Sequence, residues 1–284
     1  MPELPEVETV RRQIAPVLSG ARIEHVEILD ARLVRPFSPD VVAGEIEGQR
    51  VTTVDRRGKY LIVRFESGRA LLVHLRMTGS FRVLQAGESA DDDLHRRAVL
   101  RLDNGSDVTY RDVRRFGTWE LFEPGELAGH LAGKLGPEPL GPFSARTLAK
   151  QLTARRTSLK AALLDQRTVA GLGNIYVDEA LWHARLHPLQ PARGLGSGES
   201  ERLHRAMRKV LRLGIERQGA SLRDYSTPSG ESGGMQREFH AYGRGGEPCD
   251  RCGTPIAKTR VAGRGTWYCP RCQADRSQPD RSQP

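Results

Sequence analysis

Four cysteines close this chain as two pairs, Cys249-x2-Cys252 and Cys269-x2-Cys272, with sixteen residues between the pairs and no other cysteine among 284 residues. That spacing is the pattern of a tetrahedral four-thiolate zinc site, in which each pair supplies two ligands from one tight knuckle. Gly253 and Pro270 suit the turns that such knuckles need. The pattern predicts one structural zinc, a reducing compartment and a small β-hairpin module that could not fold on a core of its own. The alternative, two disulfides in a secreted protein, requires an oxidising compartment. The stretch Pro2–Ile14 has neither the positive start nor the apolar run of a secretory leader.

The finger accounts for the last forty or so residues, and composition bounds the rest. The chain carries 44 Lys+Arg against 35 Asp+Glu, a formal net charge of +9. An excess of that size points to a polyanion partner, nucleic acid first, although arginine outnumbers lysine everywhere and part of the signal is compositional. Hydrophobic residues make up 38% of the chain, enough for ordinary cores in one large or two modest domains. No run of about 18 apolar residues occurs, so no membrane-spanning helix is expected.

The periodicity changes near the middle. Val7, Val10, Ile14, Val17 and Leu18 share one face of a helix predicted over Pro5–Leu18, which Gly20 stops. Strand patterns follow at Val51–Val54, Tyr60–Phe65, Ala70–Leu75 and Ala98–Leu102. Turn signals at Glu66-Ser-Gly68 and Asp103-Asn-Gly105 divide them, and the whole reads as an antiparallel sandwich or barrel. Gly133–Pro142 is rich in glycine and proline and reads as a hinge. Beyond it the period is helical, over Ala145–Leu152, Ser158–Asp165, Ile175–Ala184 and Glu199–Arg217. The tail Asp275–Pro279 is repeated as Asp280–Pro284, has nothing apolar to bury, and is expected to be disordered.

The amino terminus reads Met1-Pro2-Glu3-Leu4-Pro5-Glu6. Removal of Met1 would expose a proline nitrogen, a secondary amine that titrates near pH 8, well below a lysine. Attack of that amine on a sugar C1′ gives an iminium, which acidifies the C2′ hydrogens and promotes strand cleavage by elimination. Glu3 beside it can donate or take the proton. The hexapeptide by itself favours a plainer reading, two prolines stiffening a helix start and two glutamates favouring its dipole.

Six separated motifs lie in one order: Pro2-Glu-Leu-Pro-Glu-Val-Glu8, Arg56-Arg-Gly-Lys59-Tyr60, His74-Leu-Arg-Met77-Thr-Gly-Ser80, Tyr110-Arg-Asp-Val-Arg-Arg-Phe-Gly117, Gly171-Leu-Gly-Asn174-Ile-Tyr176 and the cysteine pairs. Together they resemble the bacterial formamidopyrimidine-DNA glycosylase family, from Pro2 to Cys272. The resemblance implies an α+β multidomain fold: an N-terminal helix plus antiparallel β-sandwich, then a helix–two-turns–helix domain with a C-terminal four-cysteine zinc finger. The boundaries expected are 1–132 for the catalytic sandwich, 133–144 for the hinge, 145–240 for the helical domain, 241–274 for the finger and 275–284 for the tail.

The activity implied is removal of 8-oxoguanine and formamidopyrimidines from double-stranded DNA, followed by β,δ-elimination at the abasic site. By position, Pro2 would be the nucleophile, Glu3 the proton donor at the sugar and Lys59 an aid to elimination. A flipped-out base leaves a hole that must be filled. Met77 and Phe116 match the family's wedge, and Arg114 the guanidinium that reads the orphaned cytosine. Met77 and Phe116 as core residues, with Arg114 paired to Asp112, is the plainer alternative, and Gly79 and Gly117 hint at exposed turns. His74, Asn174 and Arg264 match phosphate contacts, Asn174 at the start of a helix.

The stretch Ser226–Gly234, predicted unable to pack, resembles the loop that closes over the flipped base. Two departures stand out: Val113 where the family often has proline, and Arg76 where a small residue is common. The expected protein is a cytoplasmic, monomeric bacterial enzyme acting on damaged or abasic DNA, with one zinc and no other cofactor. An endonuclease VIII-like glycosylase for oxidised pyrimidines and a non-catalytic zinc-finger damage-binding protein are the alternatives.

Overall fold

The apolar stripe of Val7, Val10, Ile14 and Leu18 forms α1 (Leu4–Leu18) in the computed structural model, which describes residues 1–85, 88, 92–222 and 225–275. Those four side chains are at most 1% exposed. Chain contacts group into two units, Met1–Ala132 with Gly214–Gln236, and Gly133–Leu213 with Arg237–Pro284.

After α1 the first unit continues through β1 (Ile23–Ile28), α2 (Pro39–Ile46), β2 (Val51–Arg57), β3 (Tyr60–Phe65), β4 (Ala70–His74), β5 (Gly79–Leu84), β6 (Arg96–Leu102), β7 (Asp107–Asp112), β8 (Thr118–Phe122) and α3 (Glu126–Leu131). The strands make two four-stranded sheets, in the orders β1-β6-β7-β5 and β2-β3-β4-β8, and every neighbouring pair is antiparallel. The stripe of α1 shares one core with Val26, Leu100 and Val108 of the first sheet and Val54, Leu61, Val63 and Val73 of the second. Phe81, Tyr110 and Trp119 meet in its middle, with ring centroids 5.1 to 6.2 Å apart. Each such large side chain contributes roughly 1.5–3 kcal/mol by leaving water. Strands β1, β5, β7 and β8 were not among the sequence expectations. Charged residues on their outward faces, such as Glu24, Arg82 and Arg111, interrupt the apolar signal that makes β3 and β4 plain.

The segment Gly214–Gln236, read from sequence as part of one helical region over 145–240, groups instead with the sandwich. One hold on it is Glu6, 2% exposed, whose Oε1 accepts the N–H of Ala220 at 2.9 Å. A side chain at Gly219 would meet the Glu6 Cγ at 2.7 Å, so only glycine lets the two approach. The expectation that Ser226–Gly234 cannot pack is also corrected. Thr227, 2% exposed, anchors the stretch: its N–H reaches Glu231 O at 2.9 Å and its Oγ1 accepts the N–H of Glu231 at 3.1 Å. Farther on, the Gly233 N–H donates to Ser221 Oγ at 2.9 Å.

The second unit holds α4 (Ala145–Thr153), α5 (Leu159–Leu164), α6 (Asn174–Ala184), most of α7 (Ser197–Glu216) and a terminal hairpin, β9 (Ala257–Val261) and β10 (Arg264–Tyr268). Turns between α5 and α6 are organised by Gln166, whose side chain donates to Leu164 O and Leu172 O and accepts from Gly171 N. The predicted hinge belongs to this unit: Gly136 N donates to Gln166 O at 2.8 Å and Ala170 N to Pro137 O at 3.0 Å. The repeat tail lies outside the described residues from 276 onward. No helix among the described residues is long and apolar enough to cross a membrane.

Candidate catalytic and nucleic-acid-binding site

Pro2 is buried immediately ahead of α1, and Glu3, the residue before the helix, is 3% exposed. The Glu3 N–H donates to Glu6 Oε2 at 2.8 Å. One carboxylate therefore ties the helix start to the backbone at Ala220, through charge-assisted bonds that are stronger than neutral ones. A turn later Glu8 accepts from Arg11, Arg12 and Arg56 at 2.9 to 3.1 Å. Burial alone would raise the Glu8 carboxyl, but the Arg11 and Arg12 hydrogen bonds, with Arg56 near, bring it down to about 2.

Lys59 follows Gly58, which takes a left-handed φ of 59° in the β2–β3 turn, and is 5% exposed. Tyr60 pairs in register with His74, and their rings meet edge to face at 4.6 Å. The His74 Nδ1 accepts the N–H of Arg76 at 2.9 Å, so the ring hydrogen of the neutral form sits on Nε2. Burial, reinforced by the charges of Arg76 and Lys59, lowers the imidazole to about 3. His74 is thus both a buried strand residue and a neutral N–H donor near pH 7.

Met77, Arg114 and Phe116 stand on two neighbouring loops, β4–β5 and β7–β8. Phe116 is 52% exposed and outside the core, with the Arg114 guanidinium 5.0 Å from its ring centroid. Asp112 does not pair with that guanidinium. Its Oδ1 takes the Arg114 backbone N–H at 3.2 Å and the Thr78 hydroxyl, and its Oδ2 takes the Gly117 N–H at 2.7 Å. Thr78 Oγ1 in turn accepts the Arg114 N–H at 2.9 Å, which joins the loops. Arg115, at a left-handed φ of 59°, donates Nη2 to the buried Asp30 at 2.8 Å. These bonds fix the loop although Val113 stands where the family often has proline.

Gly79 and Gly117 are buried rather than exposed. A Cβ on either would lie within 2.3 Å of Tyr110 Oη, so the close approach of that phenol explains both glycines. Asp112, Asp30 and Glu6 were missed from sequence as site residues; Asp112 and Glu6 had a local signal, their places inside the Tyr110–Gly117 and Pro2–Glu8 motifs, and Asp30 had none.

In the second unit, the sulfurs of Cys249, Cys252, Cys269 and Cys272 all lie within 4.8 Å of one another, with Cys252 and Cys269 at 3.5 Å. Four thiolates about 2.3 Å from a tetrahedral zinc have edges of roughly 3.8 Å, so the set fits. The Cys272 N–H points at Cys269 Sγ at 3.3 Å, the backbone-to-sulfur bond of a metal knuckle. These four residues are the ligands of one structural zinc.

Between the knuckles Arg264 is exposed at the start of β10, and the next carbonyl is fixed twice. Gly265 O accepts Lys160 Nζ at 2.9 Å and Asn174 Nδ2 at 3.0 Å. Lys160 also pairs with Asp178 Oδ1 at 2.7 Å, both side chains being 0% exposed, while Asp178 Oδ2 accepts the Trp267 N–H at 3.1 Å. One of the two N–H donors of the Asn174 amide thus docks the hairpin beside Arg264. Lys160 and Asp178 were not singled out from sequence; a buried pair formed from two helices leaves no spacing to read.

The chain matches the formamidopyrimidine-DNA glycosylase N-terminal domain over residues 1–119, the H2TH domain of the same enzyme over 135–226, and the zinc finger found in FPG and IleRS over 246–274. It is 48% identical to the formamidopyrimidine-DNA glycosylase of Symbiobacterium thermophilum, covering 96% of this chain and 89% of that one. A complex between the Lactococcus lactis Fpg and abasic-site DNA is similar at a TM-score of 0.88 and 38% identity, over 96% of this chain and 100% of that one. A MutM complex with carbocyclic 8-oxo-G containing DNA gives the same TM-score, identity and coverage. All three segments of the sequence, and nearly the whole fold, thus have the same relatives: the chain belongs to the formamidopyrimidine-DNA glycosylase family.

Proposed function

We propose that this chain is a bifunctional DNA glycosylase and AP lyase of base excision repair, and that Pro2, freed by removal of Met1, is its nucleophile. The neutral secondary amine attacks C1′ of an 8-oxoguanine or formamidopyrimidine nucleotide, and the glycosidic bond breaks with its electron pair leaving on the base. The amine then loses its proton and the C1′–O4′ bond opens, its electron pair leaving on the O4′ that Glu3 protonates. The iminium so formed serves as electron sink for loss of a C2′ proton and departure of the 3′ phosphate, followed by δ-elimination of the 5′ phosphate. Glu3 gives its proton at the sugar, and Lys59 assists elimination beside the phosphate that His74 receives through Nε2–H. Met77 and Phe116 fill the vacated stack, Arg114 reads the orphaned cytosine, and Arg264 holds the backbone. Asn174, at the start of α6, meets a phosphate with its second amide N–H while the first holds the hairpin that carries Arg264. We place the enzyme in the bacterial cytoplasm, where its four free cysteines stay reduced for zinc.

The observation that carries this reading is the fixed start of α1. Pro2 and Glu3 are buried next to a carboxylate that takes the Glu3 and Ala220 N–H groups, so a nucleophile and a proton donor are preorganised. Borohydride trapping on a duplex with 8-oxoguanine opposite cytosine tests it. The expected product is a covalent adduct mapped by mass to the amine of Pro2, with Met1 absent. Tight duplex binding without an adduct, from protein with a confirmed free Pro2, would leave a damage-binding protein only. Faster turnover of thymine glycol than of 8-oxoguanine would instead favour an enzyme of oxidised pyrimidines.

A further inference from the structure

Glu8 lies on α1 just beyond Glu6, and both of its carboxylate oxygens are shared. Oε1 accepts Arg11 Nη2 and Arg12 Nε at 2.9 Å each. Oε2 accepts Arg11 Nε at 3.0 Å and Arg56 Nε at 3.1 Å. Arg11 and Arg12 belong to the same helix, whereas Arg56 stands on β2. The side chains of Arg56 and Glu8 are 10% and 12% exposed. The same guanidinium directs its Nη1 to Gly58 O at 2.9 Å, the carbonyl of the peptide unit that leads into Lys59.

Two hydrogen bonds through one guanidinium thus join the helix that begins behind Pro2 and Glu3 to the peptide plane that carries Lys59. Arg11 adds a longer hold on the same strand, Nη1 to Val54 O at 3.4 Å. Arginine suits the place: its planar fork serves a carboxylate with one donor and a carbonyl with another, which the compact ammonium of lysine does not. Stability alone is a weak reason for the arrangement, since withdrawing paired charges from water costs about what their attraction gives back. Its distinct product is register. Gly58 is left-handed and glycine has the freest of backbones, yet here its carbonyl cannot turn without breaking the bond to Arg56.

We propose that Glu8 and Arg56 brace the β2–β3 turn against α1 and so act as positioning residues for Lys59. The inference rests on the role given above to Lys59 and adds what sets its place. Pro2 and Glu3 are held separately, by Glu6, so loss of the brace leaves the start of α1 where it is and shifts the lysine. A displacement on the order of 1 Å at a reacting group is enough to lower a rate about a hundred-fold.

The test is a double-mutant cycle on the full-length, zinc-loaded protein, read as single-turnover cleavage of a duplex with 8-oxoguanine opposite cytosine. Arg56→Lys keeps the charge beside Glu8 and removes the second donor. Cleavage should slow at least about ten-fold, with duplex affinity kept within about two-fold. In a Lys59→Met background the same change should slow cleavage no further, because the side chain it misplaces is already gone. No slowing in the parent, or equal slowing in both backgrounds, overturns the inference and leaves the cluster a structural one. Glu8→Leu, which removes the acceptors and keeps the bulk, supplies the same cycle should Arg56→Lys fail to fold. If Lys59→Met itself cleaves like the parent, the role of Lys59 fails first, and the brace has nothing to position.

Discussion

The β4–β5 and β7–β8 loops of the first unit and the zinc hairpin of the second both present an exposed arginine from a fixed backbone, by opposite means. Arg114 stands on a sandwich whose single core includes α1 and both sheets. With packing already supplied there, one carboxylate, Asp112, is enough to bind two N–H groups and a hydroxyl and lock the loops together. Arg264 stands on a hairpin whose own apolar cluster is little more than Trp182, Ala241, Ile256 and the cysteines. A metal and a buried ion pair replace the missing core there. The lesson is that a rigid side-chain base can be made by burial or by charge, and that the two should fail differently.

Removing the metal should break the comparison most. Cys269→Ser is expected to lose zinc and to drop duplex affinity by roughly a hundredfold or more, with the sandwich still folding, since structural zinc supplies most of a finger's folding energy. Unchanged affinity in a zinc-free protein would deny the hairpin any part in binding. Next in size is Lys160→Met, which strands Asp178 in the interior at a cost of about 3–5 kcal/mol. Adding Asp178→Leu should restore much of that stability while leaving Gly265 O without its Lys160 donor, so the melting temperature recovers and duplex affinity does not. Recovery of both would show that the pair serves stability alone.

On the sandwich side, Asp112→Ala leaves buried N–H groups unpaired and should cost about 2–3 kcal/mol. It should reduce excision while zinc content and the salt dependence of binding stay as they were; an altered salt slope would mean that Asp112 shapes the electrostatic footprint too. The smallest contrast is between Arg264 and His74. Arg264→Gln should lower the salt slope of duplex binding by about one, the mark of one phosphate contact, whereas His74→Gln should weaken binding with the slope unchanged, because His74 is neutral.

Its titration gives a second readout for His74→Gln. Between its ordinary value of 6.5 and about 3, the unfolded chain takes up a proton that the folded one refuses. The histidine's contribution is therefore intact above pH 6.5 and is lost as the pH falls towards 3. The parent should lose melting temperature more steeply than His74→Gln between pH 7 and 4. Parallel curves would mean that the imidazole is not buried neutral.

How much of this was legible in the sequence follows from where each partner lies along the chain. The zinc ligands were readable because knuckle chemistry is local: two thiols three residues apart. Strands such as Tyr60–Phe65 and helices such as Ala145–Leu152 were readable for the same reason, since their periods repeat within a few residues. Glu6 and Ala220 are 214 residues apart, Asn174 and Gly265 are 91, and Arg115 and Asp30 are 85. Nothing near either member of such a pair announces the other. Asn174 shows the limit well: its motif marked it as important, but gave no sign that one N–H of its amide holds a carbonyl in the hairpin. Only the folded chain reveals that.

The clasp between Glu6 and Ala220 has a consequence in time. The first residues made wait for a partner that follows 214 positions later, on the order of ten to forty seconds at ordinary translation rates. During that interval the amino terminus has no finished unit to be buried in. On the role proposed for Pro2, removal of Met1 has its opportunity while the chain is still growing, and the amine is sealed into place afterwards. On that proposal, a nascent chain cut short before the Ala220 region would carry its proline amine on an unclamped helix, without the alignment that attack on DNA requires.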